Sequence, residues 1–154
     1  MKQVTNVFFL LMFFGYAVAA NAAELTETNV KALLEKMDNA VLTLDAGVVA
    51  STLSDDVEII ANVNMQGQNH VMKPTKQAYI ASLKEAWAMY KNYQYSKSNV
   101  VLTMQEDKAV VTATVNESMV VQGRTMSAVS KEIVTVKLVN GQLKITKVVG
   151  HTKM

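Results

Sequence analysis

Residues 26–47 read TETNVKALLEKMDNAVLTLDAG, and this stretch decides the fold. Its apolar side chains recur at the spacing of one helix face: Val30, Leu33, Leu34, Met37, Val41 and Leu44. At 100° per residue they fall within an arc of about 100°. The charged side chains lie outside that arc: Lys31, Glu35, Lys36 and Asp38. Thr26 can cap the N-terminus, so the pattern predicts an amphipathic helix of about five turns that ends at Asp45-Ala46-Gly47.

Shorter elements and a further helix are predicted downstream. Residues 48–53 indicate a short second helix, residues 54–56 a turn, and residues 57–61 a short strand whose partner must be distant in sequence. Residues 62–73 are polar around Gly67 and indicate a loop or an irregular hairpin. After Pro74, Thr75 can cap a helix. Its apolar face carries Tyr79, Ile80, Leu83, Trp87 and Tyr90.

From Tyr93 onward the apolar period changes to two, and β-branched residues dominate. Strands are predicted near residues 93–104, 109–117, 119–126, 128–139 and 143–149. Asn140-Gly141 favours a tight hairpin turn, because both central residues of such a turn need positive φ. Helices first and antiparallel meanders second predict an α+β fold, with the N-terminal helices packed in a curved, cone-shaped antiparallel sheet.

The N-terminus has the order of a secretory signal peptide. Lys2 is followed by an uncharged apolar run over residues 7–18, and Ala20-Asn21-Ala22 presents small residues for cleavage. We therefore expect a leader over residues 1–22 and a single domain over residues 23–154, in the periplasm or secreted. The alternative is an uncleaved membrane anchor, although the run is shorter than the ~20 residues that span a bilayer.

Composition excludes several function classes. The chain has 15 Lys and Arg against 13 Asp and Glu, which predicts no nucleic-acid partner and, after leader removal, no membrane partner. With no cysteine, it has neither disulfides nor a thiolate metal site. Phosphate-binding loops, nucleophile elbows and zinc-type histidine motifs are also missing from the sequence. We expect no cofactor and no metal.

Two segments carry a resemblance to a known superfamily. They are Leu44-Asp45-Ala46-Gly47 with Leu53-Ser54-Asp55-Asp56-Val57-Glu58-Ile59, and the later Val139-Asn140-Gly141-Gln142-Leu143-Lys144-Ile145. In order and spacing the chain resembles the nuclear transport factor 2-like superfamily, which includes polyketide-cyclase-like and ketosteroid-isomerase-like proteins. The resemblance implies a sheet curled around the long helix, an enclosed pocket, and an outer sheet face used for dimerisation. It implies no particular activity.

The resemblance also permits a check of the isomerase-like chemistry. The positions that carry a tyrosine on the first helix and an aspartate base on the first strand in ketosteroid-isomerase-like proteins correspond to Ala40 and Ala61. Proton transfer needs an ionisable group and an oxyanion needs a donor, and alanine supplies neither. That chemistry is not expected, and no catalytic residue is assigned.

Five residues are candidates for a pocket. Glu132 shares a predicted strand face with Val134, Val136 and Leu138, and would be an acid in an apolar cavity if that face lines the cone. A bulge or a one-residue slip of the strand would move it to solvent instead. Arg124, on a predicted neighbouring strand, can instead pair with Glu132 as a structural ion pair. The aromatic stripe of Trp87, Tyr90 and Tyr79 is either core packing or the apolar wall of a ligand pocket.

Other candidates have simpler explanations. Asp55-Asp56 fits a solvated turn better than an acid–base pair. Met65, His70 and Met72 have donors suited to Cu(I), but their spacing matches no known metal motif, and methionine also fills packing gaps. We interpret His151 as an exposed or partly packed histidine.

Three hypotheses for function follow. The first is an exported, non-catalytic cone-fold domain that binds a small apolar or amphipathic ligand or a protein partner, and that dimerises through its sheet. The second is a polyketide-cyclase-like or dehydratase-like enzyme with Glu132 as base. The third is a pure protein-interaction module with a closed cavity.

Overall fold

The computed structural model describes residues 23–65 and 67–153, and the predicted leader at residues 1–22 lies outside them. Three helices are present in these ranges: α1 (Glu27–Leu42), α2 (Ala46–Thr52) and α3 (Lys76–Met89). The strands are β1 (Leu53–Met65), β2 (Gln68–Met72), β3 (Lys91–Met104), β4 (Ala109–Val121), β5 (Arg124–Val139) and β6 (Gln142–Lys153). No helix in this part of the chain is long and apolar enough to cross a membrane.

Side-chain caps begin all three helices. The Thr26 hydroxyl accepts a hydrogen bond from the Asn29 amide at 3.2 Å, and Thr75 accepts one from Ala78 at 3.2 Å, as the sequence predicts. Asp45 caps α2 by accepting from the Val48 amide at 3.0 Å. Each cap satisfies an amide at the start of a helix, where no carbonyl of the same helix is available.

Loss of the Thr26 cap is expected to destabilise the domain by about 1 kcal/mol, because Thr26→Ala leaves the Asn29 amide without its side-chain acceptor. Urea denaturation followed by circular dichroism measures this change. Thr28→Ala is the matched control, since Thr28 is exposed in the first turn and its loss should change stability by less than about 0.5 kcal/mol. Equal stabilities of the two variants would contradict the cap.

One six-stranded sheet contains every strand, in the order β2-β1-β6-β5-β4-β3. The predicted α+β class is confirmed, but the sheet is mixed rather than wholly antiparallel, because β1 pairs with β6 in parallel. β6 is the distant partner that β1 was predicted to need: Glu58 lies opposite Lys147. The long connection through α3 and the meander allows this parallel pairing.

Strand pairing corrects several predicted boundaries. Residues 54–56 belong to β1, not to a turn, and a register shift separates Leu53 from Glu58. Within the segment 62–73, residues 62–65 of β1 pair with residues 68–71 of β2, so the hairpin alternative is confirmed and the loop alternative is wrong. The break predicted between strands 109–117 and 119–126 is absent, because β4 continues to Val121. The chain then turns with positive φ at Gln122 and Gly123, and residues 124–126 begin β5. The predicted Asn140-Gly141 turn is confirmed, with φ values of 50° and 74°.

The helices cover one face of the sheet and bury the apolar stripe of α1. Val30 has 0% exposure, and Leu34, Met37 and Val41 pack against the core. α1 contacts both β3 and β6, which lie at different positions across the sheet. The inner face of the sheet therefore contacts α1 from two places, and a cavity is enclosed between the helices and the sheet.

Candidate functional site

A cavity of about 220 Å³ lies between the helices and the inner face of the sheet. Its apolar walls come from both layers: Leu34, Met37, Val41, Leu83, Trp87, Val115, Val134, Ile145 and Val148. Its polar lining consists of Tyr79, Tyr90, Tyr95, Lys97, Glu117 and Glu132. An engineered cavity of about 150 Å³ holds a benzene molecule, so this space can take one ring with a small substituent.

Small residues around Glu132 leave room for the cavity. In the strand register, Glu132 lies opposite Ala113 on β4 and Gly150 on β6, and Gly150 lies opposite Ala61 on β1. Paired residues of neighbouring strands point to the same face of a sheet. This cross-strand row therefore presents one long acidic side chain among three very small residues, and it lies on the face that the helices cover.

The Glu132 carboxyl group is an unpartnered acid in apolar surroundings. Burial raises its pKa above the ordinary value, while nearby Lys97 lowers the pKa and the charges of Glu117 and Asp38 raise it. No hydrogen bond from the described residues contributes to its ionisation. An acid of this kind is available to a ligand, either as a hydrogen-bond partner or as a base.

Three further polar groups of the lining, those of Tyr95, Lys97 and Glu117, already have partners. The Tyr95 hydroxyl donates to the Asp38 carboxylate at 3.0 Å, and Lys97 forms an ion pair with the same carboxylate. The Tyr93 hydroxyl donates to Glu117. Burial, with the carboxylates nearby, raises the pKa of both tyrosines, so their hydroxyls stay protonated and act as donors.

Tyr79 contributes a second free polar group. Burial raises the pKa of its hydroxyl, with smaller contributions from the charges of Glu132 and Glu117 and none from a hydrogen bond. The neutral hydroxyl of Tyr79 and the carboxyl of Glu132 line the same cavity. Together they provide one donor and one acceptor that no side chain in the described ranges occupies.

The structure brings four of the five sequence candidates together. Trp87, Tyr79, Tyr90 and Glu132 all line the cavity. Trp87 also belongs to the core, with only 8% exposure, and Tyr79 and Tyr90 pack against that core, so the aromatic stripe both packs in the core and lines the cavity.

Arg124 is not part of this site, and the predicted ion pair with Glu132 is wrong. Both residues lie on β5, where Arg124 is the exposed first residue opposite Val121. Eight residues of extended strand separate their Cα atoms by roughly 26 Å. The cause is the merging of two predicted strands, which moved the hairpin turn to Gln122-Gly123 and placed Arg124 on the strand of Glu132.

Sequence reasoning missed Asp38, Tyr95, Lys97 and Glu117. Tyr93, Tyr95 and Lys97 alternate along β3, a period-two signal that could have placed them on one face. Asp38 was predicted outside the apolar arc of α1, but it is partly buried beside β3. No local signal in α1 indicates that a lysine and a tyrosine 57–59 residues away approach it.

The alternative sites in the described part of the chain are exposed and lack an enclosed cavity. A hollow of about 410 Å³ around Asn62, Lys131 and His151 lies on the outer sheet face, where His151 and Lys131 are exposed. Met65, His70 and Met72 are also exposed, and the described residues contain no group of three His, Cys, Asp or Glu that could hold a metal. The enclosed cavity is therefore the candidate site.

Comparison with known proteins identifies the fold. No family model matches the sequence, and no curated protein matches it either. Many solved structures are similar, and three of them, each at probability 1.00, illustrate the match. An NTF2-like protein from Cytophaga hutchinsonii is 17% identical, with a TM-score of 0.64 over 82% of this chain and 98% of the other.

The other two agree with it. An NTF2-like protein of unknown function in nutrient uptake from Rhodospirillum rubrum is 19% identical, with a TM-score of 0.63 over 81% and 97% of the two chains. A ketosteroid isomerase-like protein from Erwinia carotovora atroseptica is 15% identical, with a TM-score of 0.60 over 82% and 93%. The chain has the nuclear transport factor 2-like fold, which confirms the resemblance at the level of fold. At these identities the similarity carries no activity.

Proposed function

We propose that this protein binds a small amphipathic molecule in the interior of its cone-shaped fold. The observation that carries the proposal is the unpartnered Glu132 carboxyl group in a largely apolar cavity of about 220 Å³. A ligand that places its apolar body against Trp87 and Leu83 and a polar group beside Glu132 would satisfy both parts of the lining.

The cost of an empty site supports this proposal. A fully buried polar group without a partner destabilises a domain by about 1–3 kcal/mol, and a half-buried one, such as Glu132 or Tyr79, by less. Glu132 and Tyr79 both face the cavity, and no hydrogen bond contributes to the ionisation of either. A bound ligand that pairs with them would recover part of that free energy, whereas a core that served packing alone would be better filled by apolar side chains.

Trp87 allows a direct test, because it is the only tryptophan of the chain and it lines the cavity. Benzyl alcohol and benzylamine, each one ring with a polar substituent, are suitable probes. We expect at least one of them to change Trp87 emission saturably. Val148→Phe, which fills the cavity, should weaken that binding at least about tenfold, a loss of ~1.4 kcal/mol.

Val149→Phe is the matched control for this test. Val149 is the next residue on β6, and its register partner Ile133 has its side chain exposed on the outer face. It therefore adds the same ring outside the cavity and should leave the affinity unchanged. Equal affinities of the two variants would contradict an interior site, and so would failure of both probes to bind the unaltered protein.

Acid–base catalysis is the second candidate function. The pKa of Glu132 is raised by burial, and the Tyr79 hydroxyl lines the same cavity as a donor, so the site holds a potential base and a potential donor. Glu132 also lies in the same cross-strand row as Ala61, since both residues flank Gly150. Ala61 is the position that corresponds to the catalytic aspartate of ketosteroid-isomerase-like proteins. If a bound compound is found to turn over, Glu132→Gln should abolish the turnover while binding persists; unchanged turnover would exclude Glu132 as the base.

The interaction-module hypothesis, dimerisation through the sheet and export have no direct test in the fold. A pure interaction module would have a closed interior, and the cavity of about 220 Å³ favours the ligand-binding hypothesis over it. Pairing of two copies through the outer sheet face is supported by the exposed Val101, Val129 and Ile133. Export to the periplasm or beyond rests on residues 1–22 of the sequence alone.

A further inference from the structure

Carboxyl groups outnumber cations inside the cone. Glu117 and Glu132 line the cavity, and Asp38 adjoins it through its contacts with Tyr95 and Lys97. Lys97 is the one cationic side chain among the described cavity-lining residues. Its ion pair with Asp38 compensates its charge, so a ligand meets the two glutamates rather than a free ammonium group.

Aromatic rings form much of the remaining wall. Trp87, Tyr79, Tyr90 and Tyr95 all line the cavity. The face of an aromatic ring attracts a cation within about 6 Å of its centroid. The protein already uses this attraction once, since the Lys97 ammonium lies 5.8 Å from the centroid of the Tyr95 ring.

We propose that the interior site selects organic monocations, with an ammonium group beside Glu132 and an apolar or aromatic body against Trp87. This inference rests on the proposed function, because it names the chemical class of the ligand for the same cavity. A cationic nitrogen group such as an ammonium is attracted both by the carboxylates and by the aromatic faces, whereas a neutral or anionic group is not.

The other ligand classes fit the lining less well. An anion would share the cavity with the carboxyl groups of Glu117 and Glu132, and the nearby Lys97 is already paired with Asp38. A neutral alcohol can donate a hydrogen bond to Glu132, but it leaves the carboxylate charge uncompensated in apolar surroundings. A single protonated amine compensates that charge and donates the hydrogen bonds that the carboxylate lacks.

Three probes that share one ring test the charge preference. Benzylamine is cationic at pH 7.5, benzyl alcohol is neutral and benzoate is anionic. Titration by Trp87 fluorescence and by calorimetry should give benzylamine an affinity at least about tenfold higher than that of benzyl alcohol. Benzoate should not bind measurably.

Glu132→Gln tests whether this carboxyl group causes the preference. The variant should lower the affinity ratio between benzylamine and benzyl alcohol to about twofold, because the ring contacts persist while the charge is lost. Glu106→Gln, in the exposed β3–β4 turn, removes an equal charge outside the cavity and should keep the full ratio. If the Glu132 variant does not fold, the affinities of the three probes for the unaltered protein still test the preference for a cation.

The outcomes separate this inference from the proposed function. If benzylamine and benzyl alcohol bind equally, or if benzoate binds best, the cation preference is overturned while the interior ligand site stands. An unchanged preference in Glu132→Gln would overturn the assignment of the ammonium position to Glu132. If none of the probes binds, the proposed function fails and this inference fails with it.

Discussion

Val30→Asp is expected to abolish cooperative folding. Val30 has 0% exposure in the first turn of α1, where it begins the apolar stripe that packs against the core. A carboxylate there would be desolvated, and the cluster of buried residues around Val30 offers it no cationic partner in the described part of the chain. Losses above about 4 kcal/mol are expected for such changes, against a total stability of about 5–15 kcal/mol for a domain.

Circular dichroism with thermal or urea denaturation measures the loss. Ala32→Asp is the matched control, since it places the same charge two residues further along α1 on an exposed position. It should retain a cooperative transition within about 0.5 kcal/mol of the unaltered protein. If Val30→Asp unfolds with the same midpoint as Ala32→Asp, α1 does not pack inside the sheet in solution.

Glu132→Gln is expected to stabilise the free protein at neutral pH, because the amide keeps the size of the side chain but removes the carboxylate charge, which is desolvated in this cavity. The effect depends on pH, because burial raises the pKa of Glu132 in the folded state above its ordinary value of 4.5. The folded protein therefore holds this proton more tightly than the unfolded chain does. Stability from that proton is complete below pH 4.5 and is lost as pH rises through the folded-state pKa.

Denaturation from pH 4 to pH 8 should therefore show a growing difference between the variant and the unaltered protein. The exposed carboxyls of Glu27, Asp55 and Asp107 have pKa values lowered by hydrogen bonds from Lys31, Lys76 and Lys137. Their contributions run in the opposite direction, and they cancel in the comparison because both proteins retain them. Glu106→Gln controls for the loss of one charge from the surface.

Several charged and titratable groups face Glu132 from every layer of the site. Asp38 comes from α1, Tyr79 from α3, Lys97 and the two tyrosines Tyr93 and Tyr95 from β3, and Glu117 from β4. Lys97 lowers the pKa of Glu132, but burial has the larger effect. A stability difference that stays constant across the pH range would mean that Glu132 is solvated in the folded state.

An unpaired acid lowers the free energy of unfolding, so its presence is expected in a binding site and not in a core that serves packing alone. The same cavity could be filled by larger apolar side chains at Ala113 and Gly150, which flank Glu132 in the strand register. The chain instead has small residues beside an acid, and aromatic residues in the cavity wall. The proposed function rests on these lining residues, since the fold alone hosts many activities.

Local patterns were sufficient for the elements whose signals lie within a few residues. The stripe of α1, the Thr26 and Thr75 caps and the Asn140-Gly141 turn were all predictable, because periodicity and capping act over one or two turns of chain. The inward direction of Glu132 was also predictable, since alternation along β5 links it to the buried Val134 and Val136. By itself the sequence determined the α+β class and four of the five candidate pocket residues.

Only the tertiary structure decided the features that depend on distant partners. The parallel pairing of β1 with β6 joins residues about ninety positions apart, such as Glu58 and Lys147, and no local signal specifies it. A turn at Gln122-Gly123, in place of the predicted breaks at residues 118 and 127, moved Arg124 onto the strand of Glu132 and away from the site. Asp38 became an interior partner of Lys97 and Tyr95 because the sheet brings β3 against α1, where contact geometry, not helical periodicity, decides which side chains are buried.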